Sequence, residues 1–345
     1  MLQEKIIHVA LCFSDQSGEY SRYVLAVMAQ AVHHTKNPIM FHLVHDKTLR
    51  KSRQNFIQGY VDFHGSSVKF YDISRESEFE QMNNGMLYRL FLPRLLSSLD
   101  KIIYLDGDIF VMKDLSNLWN IDIDGYSLAA VPDIKETQHD IRTLRYYRKQ
   151  KLDADRYFNS GVLLMNLKYI RHHGDLATEY LSYIQKFSHT LMLDQDFLNY
   201  MFQESTRLLP ASFNFIAYNL DKLTETVASK QVIVHLAGVY KAWNCRNSFV
   251  ISYFTRYYAE NFSPETRLEN VCNYMSTLPM RHFNKMRLNY ALKEMKKKDN
   301  SGKLLSLKCL LKGLLSDSGY QKAIDCMTYI RLHFLYSFYY CYRHK

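Results

Sequence analysis

The chain has 345 residues, of which 47% are hydrophobic and 23% are charged. These proportions are those of a folded protein with a sizeable core, and they exclude a disordered chain, a collagen and a small disulfide scaffold. The net charge is +10, and the excess of basic residues lies at the C-terminal end. Residues 281–345 hold 14 basic and 4 acidic side chains, whereas residues 1–280 hold 30 of each. The sequence therefore predicts a neutral body with a basic tail.

Short apolar runs alternate with amphipathic segments through the first 240 residues. Apolar positions at three- and four-residue intervals predict helices over residues 20–35, 47–63 and 85–99. Such alternation favours a mostly parallel sheet with helices on both faces, where ligands bind beyond the carboxyl ends of the strands. The runs that predict strands are residues 6–13, 39–45, 68–71, 101–105, 127–131, 158–167 and 232–236.

Two aspartates, Asp106 and Asp108, flank Gly107 directly after the fourth predicted strand. In extended backbone, residues i and i+2 point to the same side, so both carboxylates can converge on one point. Paired carboxylates are costly without a cation, and their oxygens favour Mg²⁺ or Mn²⁺, ions that commonly also hold substrate phosphates. Two other interpretations stay open on these residues alone. One is an ordinary surface turn, and the other is the nucleophile loop of an aspartyl phosphatase, which is expected nearer the N-terminus.

Five segments keep a characteristic order along the chain: MLYRLFLP at 86–93, YLDGD at 104–108 continued by DLSNLW at 114–119, FNSGVLLMNL at 158–167, LDQDFLN at 193–199, and HLAGVYKAW at 235–243. Together they resemble glycosyltransferase family 8. The resemblance implies an α/β fold, a single nucleotide-diphospho-sugar transferase domain of the GT-A type with a mixed, mostly parallel sheet. We expect this catalytic domain over residues 1–262, and a helical, basic C-terminal region over residues 263–345.

A metal centre and a diphosphate site follow from the resemblance. It implies that Asp106, Asp108 and His235 ligate a divalent cation, Mn²⁺ with Mg²⁺ as the alternative, since imidazole suits Mn²⁺ better. Without the resemblance, a histidine such as His235 at the end of an apolar run is more often a packed side chain. Lys241 would contact the diphosphate, and Gly238 would let the backbone approach it.

The nucleotide end of the donor is expected near the first strand. By resemblance, Asp15 and Tyr20 would bind and stack on uracil, which implies a UDP-sugar donor. The connection before Tyr20 is longer than the common spacing of the family. Arg89, in the predicted helix before the metal strand, would clamp phosphate or sugar oxygens, because a guanidinium suits such oxygens.

The sugar end is expected at the segment that contains Asp194 and Gln195. By resemblance, Asp194 would bind donor-sugar hydroxyls, Gln195 would lie close to the anomeric carbon, and Asn159 and Asp133 would add sugar contacts. An aspartate in this position can instead cap a helix, which could hold for one residue of the Asp-Gln-Asp run.

The activity that the resemblance implies is retaining transfer of glucose or galactose from UDP-glucose or UDP-galactose to a glycan acceptor, such as bacterial lipopolysaccharide or another surface glycan. A neutral amide such as Gln195 is a poor nucleophile, which favours front-face attack over a double displacement. Two alternatives remain: a catalytically inactive sugar-binding relative, and a nucleic-acid-binding protein that uses its basic tail. The metal and phosphate residues in a neutral body favour the enzyme and disfavour nucleic acid.

The tail and the cysteines bear on location. Residues 303–315 predict an amphipathic helix, and residues 329–342 are aromatic. This combination predicts contact with anionic lipid on the inner membrane face, with packing on the body or a second subunit as the alternative. No stretch of about 18 apolar residues predicts a membrane span, and the six cysteines show no metal or disulfide spacing. We therefore expect a cytoplasmic, peripheral membrane protein.

Overall fold

A computed structural model describes residues 6–133, 141–187, 190–237, 241–243, 245 and 247–259. Residues 6–218 and 224–237 form one compact unit, and residues 219–223 with the described residues from 241 onward form a second. The sequence-based division at residue 262 stays a prediction. The basic tail, with its predicted segments 303–315 and 329–342, lies outside the described residues.

The described residues contain two sheets, both in the first unit. Their strands are β1 (Ile7–Phe13), β2 (Ile39–His45), β3 (Ser67–Asp72), β4 (Lys101–Leu105), β5 (Ile109–Val111), β6 (Leu128–Pro132), β7 (Phe158–Asn166), β8 (Thr206–Leu208), β9 (Phe215–Ile216) and β10 (Ile233–His235). The larger sheet has the order β3-β2-β1-β4-β7-β6-β8, and the smaller has the order β5-β10-β9. Only β7 runs antiparallel to its neighbours in the larger sheet. The predicted mixed, mostly parallel sheet is confirmed.

Helices cover both faces of the larger sheet. The α-helices of the described residues are α1 (Tyr20–His34), α2 (Lys51–Phe63), α3 (Leu92–Leu95), α4 (Ser116–Trp119), α5 (Ile141–Gln150), α6 (Leu167–Arg171), α7 (Leu176–Lys186), α8 (Leu193–Phe202) and α9 (Glu225–Ala228), with α10 (Ser248–Ala259) in the second unit. Short 3₁₀ helices occur at Phe79–Gln81, Gly85–Phe91, Gln203–Ser205, Ala211–Phe213 and Leu220–Lys222.

Strand β1 shows why the strands are continuous apolar runs. Val9 and Leu11 belong to the core cluster that includes residues of α1 and α2, whereas Ala10 and Cys12 belong to the cluster that includes residues of α7 and α8. Because both sides of the strand are buried from Val9 onward, residues 9–13 are all apolar and do not alternate with polar ones, as is usual for sheets covered on two faces.

One predicted helix was wrong. Residues 85–99 were expected to form a single helix, but the structure has a 3₁₀ helix over Gly85–Phe91 and only one further turn, α3. Pro93 lies in that turn. It has no N–H to donate, and in a continuous α-helix its ring would clash with the carbonyl of Arg89, four residues earlier.

The smaller sheet joins distant parts of the chain at the carboxyl end of β4. Strand β10 pairs antiparallel with β5, in a register that places His235 opposite Ile109. The backbone N–H of Leu236 donates to the carbonyl oxygen of Asp108 at 3.0 Å. This pairing fixes His235 beside the acidic pair.

The second unit is described by helix α10 and the residues around it. Asn247 accepts from the N–H of Val250 at 3.0 Å and donates to the carbonyl oxygens of Leu223, at 2.8 Å, and Leu220. These bonds fix the start of α10. None of the helices in the described part of the chain combines the length and hydropathy that a membrane span requires.

Candidate active site

Asp106, Asp108 and His235 converge at the carboxyl end of β4. Nε2 of His235 lies 3.3 Å from Oδ1 of Asp108 and 3.9 Å from Oδ2 of Asp106. One ligand atom from each residue lies within 4.8 Å of the others. Two carboxylate oxygens and one imidazole nitrogen are a donor set that suits a divalent cation such as Mn²⁺. The three residues predicted from the sequence are therefore brought together in a geometry that fits a metal.

Gly161 on β7 leaves the space in which this cluster sits. A Cβ atom there would collide with Cε1 of His235 and would lie 2.8 Å from Oδ2 of Asp106. The carbonyl oxygen of Gly161 accepts from the N–H of Asp106 at 2.8 Å. The absence of a side chain at this position therefore lets β7 pack directly against His235 and Asp106.

A directional chain of hydrogen bonds connects His235 to Asp133. At one end of the chain, the amide nitrogen of Gln195 donates to Oδ2 of Asp133 at 2.7 Å. Oε1 of Gln195 accepts from Asn159 at 3.2 Å, and Oδ1 of Asn159 accepts from Asn214 at 2.9 Å. Oδ1 of Asn214 then faces Nδ1 of His235 at 3.1 Å. We call these five residues the amide relay.

The amide relay determines the tautomer of His235. Because the side-chain oxygen of Asn214 can only accept, Nδ1 of His235 carries a proton, and Nε2 is the nitrogen that faces Asp106 and Asp108. Backbone donors fix the amide orientations independently: the N–H of Ser160 donates to Oε1 of Gln195 at 3.1 Å, and the N–H of Gly161 donates to Oδ1 of Asn159 at 3.0 Å. A hydrogen-bonded second nitrogen is the usual arrangement for a metal-binding histidine.

Arg89 is buried and binds two carboxylates. Its Nη2 lies 2.7 Å from Oδ1 of Asp106, and its Nη1 lies 3.1 Å from Oδ2 of Asp194. The guanidinium also stacks over the ring of Tyr104, whose hydroxyl donates to Oδ1 of Asp106 at 2.6 Å. Burial alone would lower the pKa of Arg89, but Asp106 and Asp194 raise it above its usual value, so the side chain stays charged.

The two carboxylate oxygens of Asp106 have different partners. Oδ1 is bound by Arg89 and Tyr104, whereas Oδ2 faces His235. Arg89 thus holds a metal-ligand candidate in place from behind. Its predicted contact with phosphate or sugar oxygens stays a prediction.

The two aspartates of the Asp-Gln-Asp run at the start of α8 bind different partners. Asp194 accepts from the hydroxyl of Ser160 at 2.9 Å, and burial raises the pKa of Asp194 to about 6 against the opposing effect of Arg89. Asp196 accepts instead from the N–H groups of Leu191, at 3.1 Å, and Met192, at 2.9 Å. Asp196 therefore holds the segment that enters α8, close to the capping role that the sequence allowed for one of these residues.

Asp15 and Tyr20 lie at the start of α1, beyond the end of β1. Oδ1 of Asp15 accepts from the N–H of Ser21 at 2.9 Å, so this carboxylate binds the first turn of the helix. The hydroxyl of Tyr20 lies against Gly107, where a Cβ atom would be 2.9 Å away. Burial, followed by the charges of Asp108 and Asp106, raises the pKa of the Tyr20 phenol. Tyr20 is thus next to the metal-ligand candidates, whereas Asp15 lies in the loop between β1 and α1.

Two further residues, Lys241 and Gly238, were predicted to contact the diphosphate. Lys241 belongs to the second compact unit and is half-buried. Gly238 lies outside the described residues. Their roles stay predictions.

The family of the chain follows from its whole sequence. The model of the family described as Glycosyl transferase family 8 matches residues 8–246, well over half of the chain. The chain belongs to glycosyltransferase family 8. The resemblance read from five sequence segments is confirmed.

Individual relatives of this family 8 glycosyltransferase are distant. General stress protein A of Bacillus subtilis is 24% identical over 267 residues, which cover 71% of this chain and 90% of that protein. Lipopolysaccharide 1,2-glucosyltransferase of Escherichia coli is 27% identical over 172 residues, which cover 47% of this chain and 50% of that protein. The structure of galactosyltransferase LgtC in complex with donor and acceptor sugar analogs has a TM-score of 0.62 at 22% identity, covering 75% of this chain and 98% of that one. That likeness shows the GT-A fold.

Sequence reasoning on this family 8 chain missed three residues of the site. Gly161 lies in the segment FNSGVLLMNL. Its sequence signal is that a glycine within a strand often marks a site where another group approaches the backbone closely. Ser160, which binds Asp194, was also quoted without a role. Asn214 gave no local signal, since it precedes a strand of only two residues, β9.

Proposed function

We propose that this chain is a metal-dependent, retaining hexosyltransferase that moves glucose or galactose from UDP to a glycan acceptor, such as lipopolysaccharide or another bacterial surface glycan. The observation that carries the proposal is the convergence of Asp106, Asp108 and His235, whose ligand atoms lie within 4.8 Å of one another. Through the amide relay, His235 is also connected to Gln195. Two relatives support the substrate class by name, a lipopolysaccharide glucosyltransferase and the galactosyltransferase LgtC.

The metal centre would hold the diphosphate of the donor. A bound Mn²⁺, or Mg²⁺ as the alternative, would stabilise the negative charge that develops on the leaving diphosphate. Asp106 and Asp108 would supply one oxygen each, and His235 would supply Nε2, whose lone pair the amide relay keeps available. Arg89 would keep Oδ2 of Asp106 turned toward this point by binding Oδ1.

The remaining donor contacts follow the family pattern. Asp15 and Tyr20 would bind the uracil, and Lys241 and Gly238 would contact the diphosphate. The position of Tyr20 supports this assignment, because its aromatic ring lies against Gly107, the residue between Asp106 and Asp108.

Asp133, Asn159 and Asp194 would bind hydroxyls of the donor sugar. Each is buried, and each is already oriented by a fixed partner: Gln195 for Asp133 and Asn159, and Arg89 for Asp194. Preorganised polar groups of this kind stabilise a transition state without having to reorient during the reaction.

In the transfer step, the bond between the anomeric carbon and the β-phosphate oxygen breaks, and its electron pair stays on the diphosphate. The acceptor hydroxyl oxygen forms the new bond on the same face, and its proton passes to a phosphate oxygen of the leaving group. Gln195 would not be the nucleophile, since its carbonyl oxygen already accepts from Asn159 and from the N–H of Ser160. Its role would be to position the sugar pocket.

The site of action would be the inner face of the cell membrane. Residues 263–345 would contact anionic lipid there and bring the catalytic unit to a lipid-linked acceptor. A cytoplasmic location agrees with a nucleotide-sugar donor, and we propose no nucleic-acid partner.

Donor hydrolysis tests the proposal directly. The protein would be incubated with Mn²⁺, Mg²⁺ or a chelator and with UDP-glucose, UDP-galactose and sugars of other nucleotides, and the released nucleoside diphosphate would be measured. We expect release from a UDP-hexose with metal only. Asp108→Asn should reduce it on the order of 100-fold, whereas Asp124→Asn, at an exposed carboxylate, should not. No release from any donor, with or without glycan acceptors, would favour an inactive sugar-binding relative.

A further inference from the structure

Helix α5 packs against the protein with an inward row of polar and aromatic residues. The ring of Tyr147 stacks on Tyr157 with 4.7 Å between centroids, and Gln150 accepts from the hydroxyl of Tyr183 at 3.2 Å. The hydroxyl of Tyr146 donates to Asp196. These contacts fix which side of α5 faces the protein and therefore which side faces out.

The outward side of α5 is strongly basic. From Ile141 to Lys151 the sequence contains five Lys or Arg residues and no acidic residue, and all five are exposed: Arg142, Arg145, Arg148, Lys149 and Lys151. Among the described residues, no ion pair involves Arg145, Arg148 or Lys149. The body as a whole is neutral, so this face is a local concentration of positive charge.

Large aliphatic side chains lie beside these charges. Ile141 is 75% exposed and Leu144 38%, and at the entry to α8 Leu191 is 71% exposed and Met192 44%. Leu191 lies beside α5, because its N–H donates to the hydroxyl of Tyr146 at 2.8 Å. Large apolar side chains left exposed beside a charged helix face are typical of an interaction surface.

We propose that the outward side of α5 together with Leu191 and Met192 is a membrane-contact surface that rests on anionic phospholipid. Phosphate headgroups complement the arginines and lysines, and the aliphatic side chains can enter the boundary between headgroups and acyl chains. A soluble anionic glycan would match the charges but would leave the aliphatic side chains in water. The combination of both features decides for lipid.

This surface lies next to the catalytic residues. Leu191 and Met192 directly precede the turn that carries Asp194 and Gln195, and Asp196 binds the N–H groups of both. Given the proposed function, on which this step rests, the surface would hold the sugar pocket at the level of the headgroups, where a lipid-linked acceptor presents its sugar.

Vesicle binding by the full chain tests the charged part of the surface. The triple variant Arg145→Gln, Arg148→Gln, Lys149→Gln would be compared with the wild type in flotation with phosphatidylcholine vesicles, with and without phosphatidylglycerol. We expect binding to anionic vesicles to fall about 100-fold, since each basic residue near such a surface contributes on the order of fivefold. The control variant Lys51→Gln, Lys69→Gln, Lys230→Gln removes the same charge from other exposed positions and should lose far less. Equal losses in the two variants would overturn the proposal.

A tryptophan reporter tests insertion independently of any contribution from the tail. Leu191→Trp should show a blue-shifted emission on addition of anionic vesicles, whereas Phe63→Trp, at a position 86% exposed on α2, should not. No shift at Leu191, or a shift with soluble anionic oligosaccharide but not with vesicles, would overturn the proposal. These measurements contain no nucleotide sugar, and donor hydrolysis contains no vesicles, so failure of the surface and failure of the proposed function are separable.

Discussion

The side-chain oxygen of Asn214 lies 3.1 Å from Nδ1 of His235, and this contact fixes the ring nitrogen that faces the aspartates. Asn214 is fully buried and donates its amide N–H to Asn159. Its oxygen can therefore only accept, which places a proton of His235 on Nδ1 and leaves Nε2 as the nitrogen for a cation. The lone pair of Nε2 is then available to a cation held with Asp106 and Asp108.

Replacing Asn214 with alanine should weaken metal binding. Without the acceptor, neither the ring orientation nor the tautomer of His235 is fixed, and loss of such a partner typically reduces metal affinity about 10–100-fold. Titration calorimetry with Mn²⁺ in the absence of donor measures the change. Asn120→Ala, at an exposed position, is the control. Unchanged Mn²⁺ affinity in folded Asn214→Ala would show that the amide relay does not act on the metal.

Gly161→Ala should damage the same site by a steric route. The new methyl group would meet the ring of His235 and Oδ2 of Asp106, so a shift of the backbone or of the ring is required. We expect a loss of about 1–3 kcal/mol in the free energy of unfolding and a loss of Mn²⁺ binding. Urea denaturation and calorimetry would measure the two effects.

The control for this variant is Gly59→Ala in α2. A Cβ atom there meets nothing within 4 Å, and alanine is favoured over glycine inside a helix by about 0.5–1 kcal/mol. The two substitutions should therefore change stability in opposite directions. A neutral Gly161→Ala would mean that the strand has more freedom than its contacts indicate.

Removing Arg89 should destabilise the protein strongly, because Asp194 would remain buried without its partner. Breaking a buried ion pair in this way costs about 3–5 kcal/mol. Arg94→Met is the matched control, since Arg94 also pairs with several carboxylates but its side chain is 34% exposed, where ion pairs contribute about 1 kcal/mol or less. Equal losses in Arg89→Met and Arg94→Met would contradict the burial argument.

The sequence predicted the sheet well because buried strands are recorded locally, as apolar runs such as residues 39–45 and 101–105, whose bounds match β2 and β4. Spacing also predicted the convergence of Asp106 and Asp108. The arrival of His235 beside them was predicted only through the family resemblance, since it depends on the pairing of β10 with β5.

The amide relay could not be predicted in the same way. Asn214 is set beside Asn159 and His235 by tertiary packing, and no residue near it in sequence indicates that neighbour. The sequence predicted that Arg89 binds phosphate or sugar oxygens. Its pairing with two carboxylates could not be predicted, because it depends on how the 3₁₀ helix Gly85–Phe91, β4 and α8 pack together. Local pattern predicts which residues are reactive, whereas contact between elements decides what each one binds.

Glu78 should make stability depend on pH in the acid range. Hydrogen bonds from Arg94, more than the opposing burial, lower the pKa of Glu78 from 4.5 to about 2. The unfolded chain takes up this proton near pH 4.5, before the folded protein does, so the contribution is fully present above pH 4.5 and is lost as the pH falls toward 2. Glu78→Gln should therefore be less stable than the wild type at pH 7 in urea denaturation, and the difference should shrink as the pH falls through this window.

The exposed neighbour Glu80 is the control for that experiment. Glu80→Gln makes the same chemical change outside the contacts with Arg94. Its effect on stability should be small at pH 7 and should not follow the same pH window. A pH-independent penalty in Glu78→Gln would assign the effect to packing instead of to charge.

Gln195→Ala should reduce turnover moderately and leave donor binding nearly unchanged. The carbonyl oxygen of Gln195 is engaged by Asn159 and by the N–H of Ser160, and its amide binds Asp133, so the side chain orients the pocket and does not attack the anomeric carbon. We expect a fall in kcat on the order of 100-fold, comparable to loss of one preorganised hydrogen-bonding group. The exposed Gln81→Ala is the control. Complete loss of transfer with intact donor affinity would instead contradict a positioning role and favour a covalent intermediate on Gln195, because loss of one positioning hydrogen-bonding group leaves measurable turnover.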